Sequence, residues 1–176
     1  MSPPVRRPDY DDLLAEAGAR AQAGEHAAAA DGFARAALAD PTRPDAYVGA
    51  ARAQAMRGLL DEAFTLLTRA VDVDPGFLPA YGLAARIGLH HRNERPRALR
   101  LVEAGVLARD DAADAWAWLA RLQAVLRRVP ELRRSLRRLE TATGRTRADL
   151  VRELADDPDV DSEAVHALRR AANLEV

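Results

Sequence analysis

Cysteine is absent from the 176 residues, which excludes disulfides, thiolate catalysis and cysteine-ligated metals. Lysine is absent too. All 26 basic residues are arginine, set against 27 acids for a formal charge of −1. With the abundant alanine, the arginine-only choice reads as codon bias in a GC-rich bacterial genome. A near-neutral total gives no sign of a nucleic-acid or membrane protein. No window approaches the roughly 18 apolar residues of a membrane span, and the start, MSPPVRRPDY, has no apolar signal-peptide core. The expectation is a cytoplasmic protein without membrane insertion.

Catalytic signatures are missing as well. There is no HExxH, nucleophile elbow or phosphate loop. The four histidines are His26, His90, His91 and His166. The adjacent His90-His91 pair comes nearest to a metal site, but neighbouring helical side chains point about 100° apart and cannot share one ion comfortably. No catalytic residue, no metal and no cofactor is expected, and the chain is not read as an enzyme.

What the chain does contain is a repeat. Ala17, Ala51, Ala85 and Ala120 are spaced 34, 34 and 35 residues apart, and Leu13, Tyr47, Tyr81 and Trp116 keep the same spacing. Three further columns, Ala29–Ala63–Ala98–Leu132, Phe33–Leu67–Val102–Leu136 and Ala36–Ala70–Gly105–Leu139, agree once a single residue is inserted between Ala85 and Ala98. Alanines four and seven residues apart give a helix a small-residue stripe, so that a second helix can approach to about 8 Å. Gly24 and Gly58 suit the left-handed end of a helix. Pro44, Pro79, Pro96 and Pro130 suit a first turn, where the missing N–H costs nothing. Asp40-Pro41 and Asp74-Pro75 each stand six residues before a tyrosine: the pair stops one helix and the tyrosine anchors the next.

These residues resemble the tetratricopeptide repeat (TPR), a 34-residue helix–turn–helix unit. The match is close in Leu13, Ala17, Gly24, Ala29, Phe33, Ala36, Asp40 and Pro41, and again in Tyr47, Ala51, Gly58, Ala63, Leu67, Ala70, Asp74 and Pro75. The third unit lacks the turn glycine (HHRNERP, 90–96), and the fourth turns leucine-rich after Trp116 and Ala120. The resemblance implies an all-α, right-handed α-solenoid of about four units, 10–43, 44–77, 78–112 and 113–143. Single units cannot bury their apolar faces alone, so neighbours stack and the ends need caps. Residues 144–176 supply a capping helical pair. Thr146 to Asp149 reads as a capping box, Pro158 as a break, and Asp161 or Ser162 as the next start, leading to Val165, Leu168 and Ala172. Residues 1–9 are expected to be a disordered N-terminal segment.

The resemblance also implies an inner groove lined by the first helix of each unit. Its ninth position reads Gly18, Arg52, Arg86 and Arg121, a ladder of about 20 Å that would suit an extended, acidic segment. Val48, Leu83 and Trp118 complete the expected partner-binding floor. Asp45 and Asp114, seven residues before Arg52 and Arg121, offer the plainer reading of charges balanced across a solvated face. A second basic surface is formed by Arg133, Arg134, Arg137 and Arg138, opposite Leu132, Leu136 and Leu139. It lies in a region, 92–138, with 12 arginines and 6 acids. The expected function is non-catalytic binding of a peptide or helix of another protein. Alternatives are a small cytosolic chaperone for a secreted or assembly-prone substrate, and a self-assembling scaffold in which the basic stripe meets the acidic stretch ADDPDVDSE of another copy. The family's carboxylate clamp needs lysine and asparagine on inner helices, so a heat-shock co-chaperone role is disfavoured. Nucleic acid is disfavoured too, since no recognition motif accompanies the basic stripe.

Overall fold

The computed structural model describes residues 9–174; residues 1–8, most of the expected disordered segment, and 175–176 lie outside it. The chain divides between Ala80 and Tyr81 into two compact units. The first holds α1 (Tyr10–Gln22), α2 (His26–Ala39), α3 (Pro44–Met56) and α4 (Leu60–Val73). The second holds nearly all of α5 (Leu78–His90), then α6 (Arg95–Ala108), α7 (Ala113–Val125), α8 (Val129–Thr143), α9 (Arg147–Ala155) and α10 (Ser162–Ala172). The described residues form an all-α solenoid fold of helical hairpins.

Several helix boundaries have a local cause. Asp9 and Asp12 form a capping box at α1, so residue 9 already belongs to the first helix. Thr146 and Asp161 accept N–H groups at the starts of α9 and α10. Asp40 and Asp74 end α2 and α4 as extended residues whose N–H groups bond to Ala36 and Ala70. The tyrosine six residues after an Asp-Pro pair now has its explanation. Tyr47 Oη donates to the Pro41 carbonyl at 3.3 Å, and Trp116 Nε1 makes the same reach to Asp110 at 2.8 Å. The aromatic is half-buried, and its polar tip fixes the preceding loop. Gly24 and Gly58 have φ of 79° and 78°. Where the fourth unit needs the same left-handed residue it places Arg127, at φ 57°. The third unit, without a turn glycine, uses a single 3₁₀ turn, Arg92–Glu94.

In the first unit α2 packs against both α1 and α3. Its core interleaves Ala17, Ala29, Phe33, Ala50 and Ala53 with Tyr10, Leu13, Ala36 and Ala46. Glycine is a packing residue here as well as a turn residue. A Cβ on Gly49 would fall 2.5 Å from the Phe33 ring, and in the second unit one on Gly105 would fall 2.7 Å from the Tyr81 ring. Tyr10 ties α1 to α3: the Ala46 N–H donates to its hydroxyl at 3.2 Å, and Arg43 lies 3.9 Å over its ring. This bond supplies an acceptor to the start of α3, which has no side-chain cap of its own, and so satisfies an otherwise orphaned donor.

In the second unit α10 packs against α7, α8 and α9. Leu150, Leu154, Ala164, Ala167, Leu168 and Ala171 are buried on α9 and α10, as are Leu132, Leu136 and Leu139 on α8. Burying a leucine is worth about 1.5–3 kcal/mol, so α9 and α10 cover an apolar face that α8 could not leave in water. One polar pair sits inside: Ser135 Oγ donates to Gln123 Oε1 at 2.8 Å, both residues buried.

Candidate functional site

The first unit carries an open cavity of about 620 Å³ on its inner-helix side. Its wall is apolar, with Leu14, Phe33, Val48 and Met56, and Gly18 leaves space where no atom lies within 4 Å of an added Cβ. Met56 is 64% exposed, a large apolar side chain at the rim; flexible thioethers of this kind recur on binding surfaces. The polar residues are Arg52, Asp45, Gln22 and His26. The helical period explains the arrangement: Asp45, Val48, Arg52 and Met56 follow at three, seven and eleven residues and share one face of α3. Arg52 is exposed and does not pair with Asp45, so the charge-balancing alternative is not realised at this arginine. The Nδ1 atom of His26 is buried without a hydrogen-bond partner.

The second unit treats its equivalent positions differently. Leu83 is buried. The Trp118 ring lies against Gly82, whose Cβ would fall 2.8 Å from it, so the tryptophan fills the spot that Leu14 and Val48 occupy in the first two repeats. Arg86 is exposed. Arg121 is engaged: its Nε lies 2.9 Å from Asp157 Oδ2, with the two side chains only 16% and 23% exposed. His90 Nδ1 lies 3.1 Å from Asp159 Oδ1. Thus the loop between α9 and α10 takes up the inner face of α7, and Arg121 pairs with this loop rather than with Asp114.

The basic stripe of α8 is also divided. Arg133 donates to the Ala171 carbonyl and to Asn173 Oδ1, each at 3.4 Å, tying α8 to the carbonyl end of α10. A cation there also complements the helix dipole. Arg138 lies 6.0 Å from the Trp116 ring, while Arg134 and Arg137 face solvent. Four of the five acids expected to meet this stripe in another copy have partners within the chain. Asp157 pairs with Arg121, Asp159 with His90, Glu163 with Arg127, and Asp161 caps α10.

Among the described residues no cluster of three or more histidines and carboxylates could hold a metal ion, and no helix is long and apolar enough to cross a membrane. Sequence reasoning located Arg52 and Val48 but missed Gln22, His26 and Met56, which line the same cavity. Gln22 and Met56 are the last residues of α1 and α3. That shared helix-end register was the signal that could have found them.

Residues 20–87 match the tetratricopeptide repeat family. Three solved structures share the fold. YrrB, described as a TPR protein with an unusual peptide-binding site, is 14% identical, with a TM-score of 0.58 over 95% of this chain and 87% of its own. A thermophilic TPR protein of Thermus thermophilus is 20% identical, with a TM-score of 0.58 over 94% and 91%. MamA from Desulfovibrio magneticus is 16% identical, with a TM-score of 0.58 over 96% and 97%. No curated protein matches the chain in sequence.

Proposed function

We propose, from the match of residues 20–87 to the tetratricopeptide repeat family, a non-catalytic interaction module that holds a peptide or helix of a partner protein against its inner helices. The observation that carries this reading is the 620 Å³ cavity of the first unit, apolar in its wall and rimmed by the unpaired Arg52. Most ligand sites have this composition, an apolar floor with a few polar groups that fix orientation. Arg52 and Val48 are the principal contacts. Arg86, Leu83 and Trp118 offer a secondary surface on the second unit, where Arg121 is withdrawn by Asp157. The peptide-binding site named for YrrB agrees with this use of the fold. Reversible binding there rests on desolvating the half-buried Leu14 and the exposed Met56 above the Val48 floor, with the guanidinium setting direction.

Site-specific photocrosslinking in the native host tests the proposal. A photoreactive residue at Met56 should give partner adducts, while one at Thr65, exposed on α4, should give none. Equal adducts at both positions, or adducts only from positions 134 and 137 on α8, would refute the groove.

A further inference from the structure

The inner helices place two repeat positions in an occupied state in one unit and an open state in the other. The ninth residue of α7 is Arg121 and the last of α5 is His90; in the first unit the same positions, on α3 and α1, are Arg52 and Gln22. In the second unit both are taken by one short acidic turn of the chain itself, Asp157-Pro158-Asp159-Val160. Asp157 sits 2.9 Å from Arg121, Asp159 sits 3.1 Å from His90, and Val160 is buried at 7% exposure. In the first unit the side chains of Arg52 and Gln22 have no ion pair or hydrogen bond among the described residues, and both line the open cavity beside Leu14 and Val48.

We propose that this cavity binds an acidic turn of the same type, carried by a partner protein: a carboxylate on Arg52, a second oxygen acceptor two residues later on Gln22, and an aliphatic side chain next to it in the Leu14–Val48–Met56 wall. The inference rests on the groove reading above and names the chemistry of its occupant. The repeat register supplies the geometry, because equivalent residues on equivalent helices present their side chains alike. Charge supplies the sign. Arg52 presents a fork of donors to a carboxylate, and the Gln22 amide donates to a carboxylate or a neutral oxygen where His90 met a carboxylate. Asp45 limits the run of acids. It lies on the same wall, seven residues and about 10 Å from Arg52, and repels a third negative group. The ligand is therefore a short turn whose first acid meets Arg52, with any further acids directed away from the wall that carries Asp45.

The probe is a fluorescein-labelled decapeptide with the sequence of residues 154–163, LADDPDVDSE, titrated against the full chain by anisotropy. Saturable binding is expected. Arg52→Glu should weaken it by about tenfold or more and Gln22→Ala by about threefold, whereas Arg35→Ala, on the exposed face of α2, leaves it unchanged. A peptide with asparagine at the positions matching Asp157 and Asp159 should bind about tenfold more weakly. The three substituted side chains are exposed, and far-UV circular dichroism checks that each variant stays helical. The proposal falls if the acidic peptide does not bind saturably, or if it binds wild type and Arg52→Glu alike. It falls too if binding depends on Arg121 and not Arg52, since the peptide would then be exchanging with the chain's own turn. If the neutral peptide binds as tightly as the acidic one, or if crosslinks at Met56 form without any acidic-peptide binding, acidic recognition is overturned while the groove reading survives.

Discussion

Two alanine substitutions for helical glycines should change stability in opposite directions. Replacing glycine by alanine inside a helix gains about 1 kcal/mol, because the backbone loses less entropy on folding. At Gly18, in the middle of α1, an added Cβ meets nothing within 4 Å. Gly18→Ala should therefore keep most of the gain, about 0.5–1 kcal/mol. At Gly105, inside α6, the Cβ would lie 2.7 Å from Tyr81 Cγ and 2.9 Å from both Cδ atoms. Carbon atoms pack at about 3.5–4.0 Å, so the ring must retreat by roughly 0.8 Å. Tyr81 is 2% exposed, and the clash is at the base of its ring, close to the backbone of α5. Overpacking of this kind costs about 1–3 kcal/mol, leaving Gly105→Ala about 1 kcal/mol less stable after the helix gain is subtracted. Urea unfolding measures both variants. Tryptophan fluorescence reports the second unit alone, since Trp116 and Trp118 both lie there, and circular dichroism reports both units. A Gly105→Ala chain as stable as wild type would show that Tyr81 is not held against α6, and a destabilised Gly18→Ala chain would show that the cavity wall is not open at that point.

Other outcomes follow from single contacts. Ser135→Ala should cost about 1–3 kcal/mol in urea unfolding, because it strands the buried Gln123 carbonyl oxygen, and the double variant with Gln123→Leu should recover most of it. Asp157→Asn should release Arg121, costing about 1 kcal/mol for this partly buried pair and speeding amide exchange across residues 156–161 with no change in the first unit. Burial is the main cause that raises the Tyr10 pKa above the ordinary tyrosine value, against the opposing hydrogen bond from Ala46. The folded chain therefore holds its phenol proton longer than the unfolded one, and the stability this brings is complete below about pH 10 and lost as pH rises through the folded value. Tyr10→Phe should remove that alkaline slope in pH-dependent melts. Hydrogen bonds from Thr42, side chain first and then backbone, hold the Asp40 carboxyl below its usual range; Thr42→Val should move its NMR titration upward.

Much of the scaffold was legible because its causes are local or periodic. A 34-residue spacing of small residues fixes where helices meet, and the caps Thr146 and Asp161, like the glycines 24 and 58, act on backbone within four residues of themselves. The single inserted residue between Ala85 and Ala98 corresponds to the 3₁₀ turn of the third unit. What escaped the sequence depends on distance through space. Gly105 fell in a column of small residues, but nothing local says that the Tyr81 ring lies on it. Tyr10 serves α3 from 36 residues away. Arg127 stands where glycine does in two other units, and only the backbone angle shows that arginine accepts the left-handed conformation. With 26 arginines and 27 acids, composition cannot say which arginine finds a partner within the chain.

The difference between Arg52 and Arg121 has a structural origin in the length of α9. The inner helices α1, α3, α5 and α7 each have 13 residues, whereas α9 has 9. Asp156 ends it, and Pro158, two residues on, cannot lend an N–H to continue it. The chain turns about one helical turn early, and the residues that would have formed the last turn of an inner helix lie across the inner face instead. Their acids then meet His90 and neutralise Arg121, whose guanidinium is 16% exposed and would otherwise be partly desolvated without compensation. A turn built this way occupies the inner face of α7 with the chemistry that an incoming ligand would use. The first unit has the arginine without the turn, so the same electrostatic demand is left for another molecule to meet.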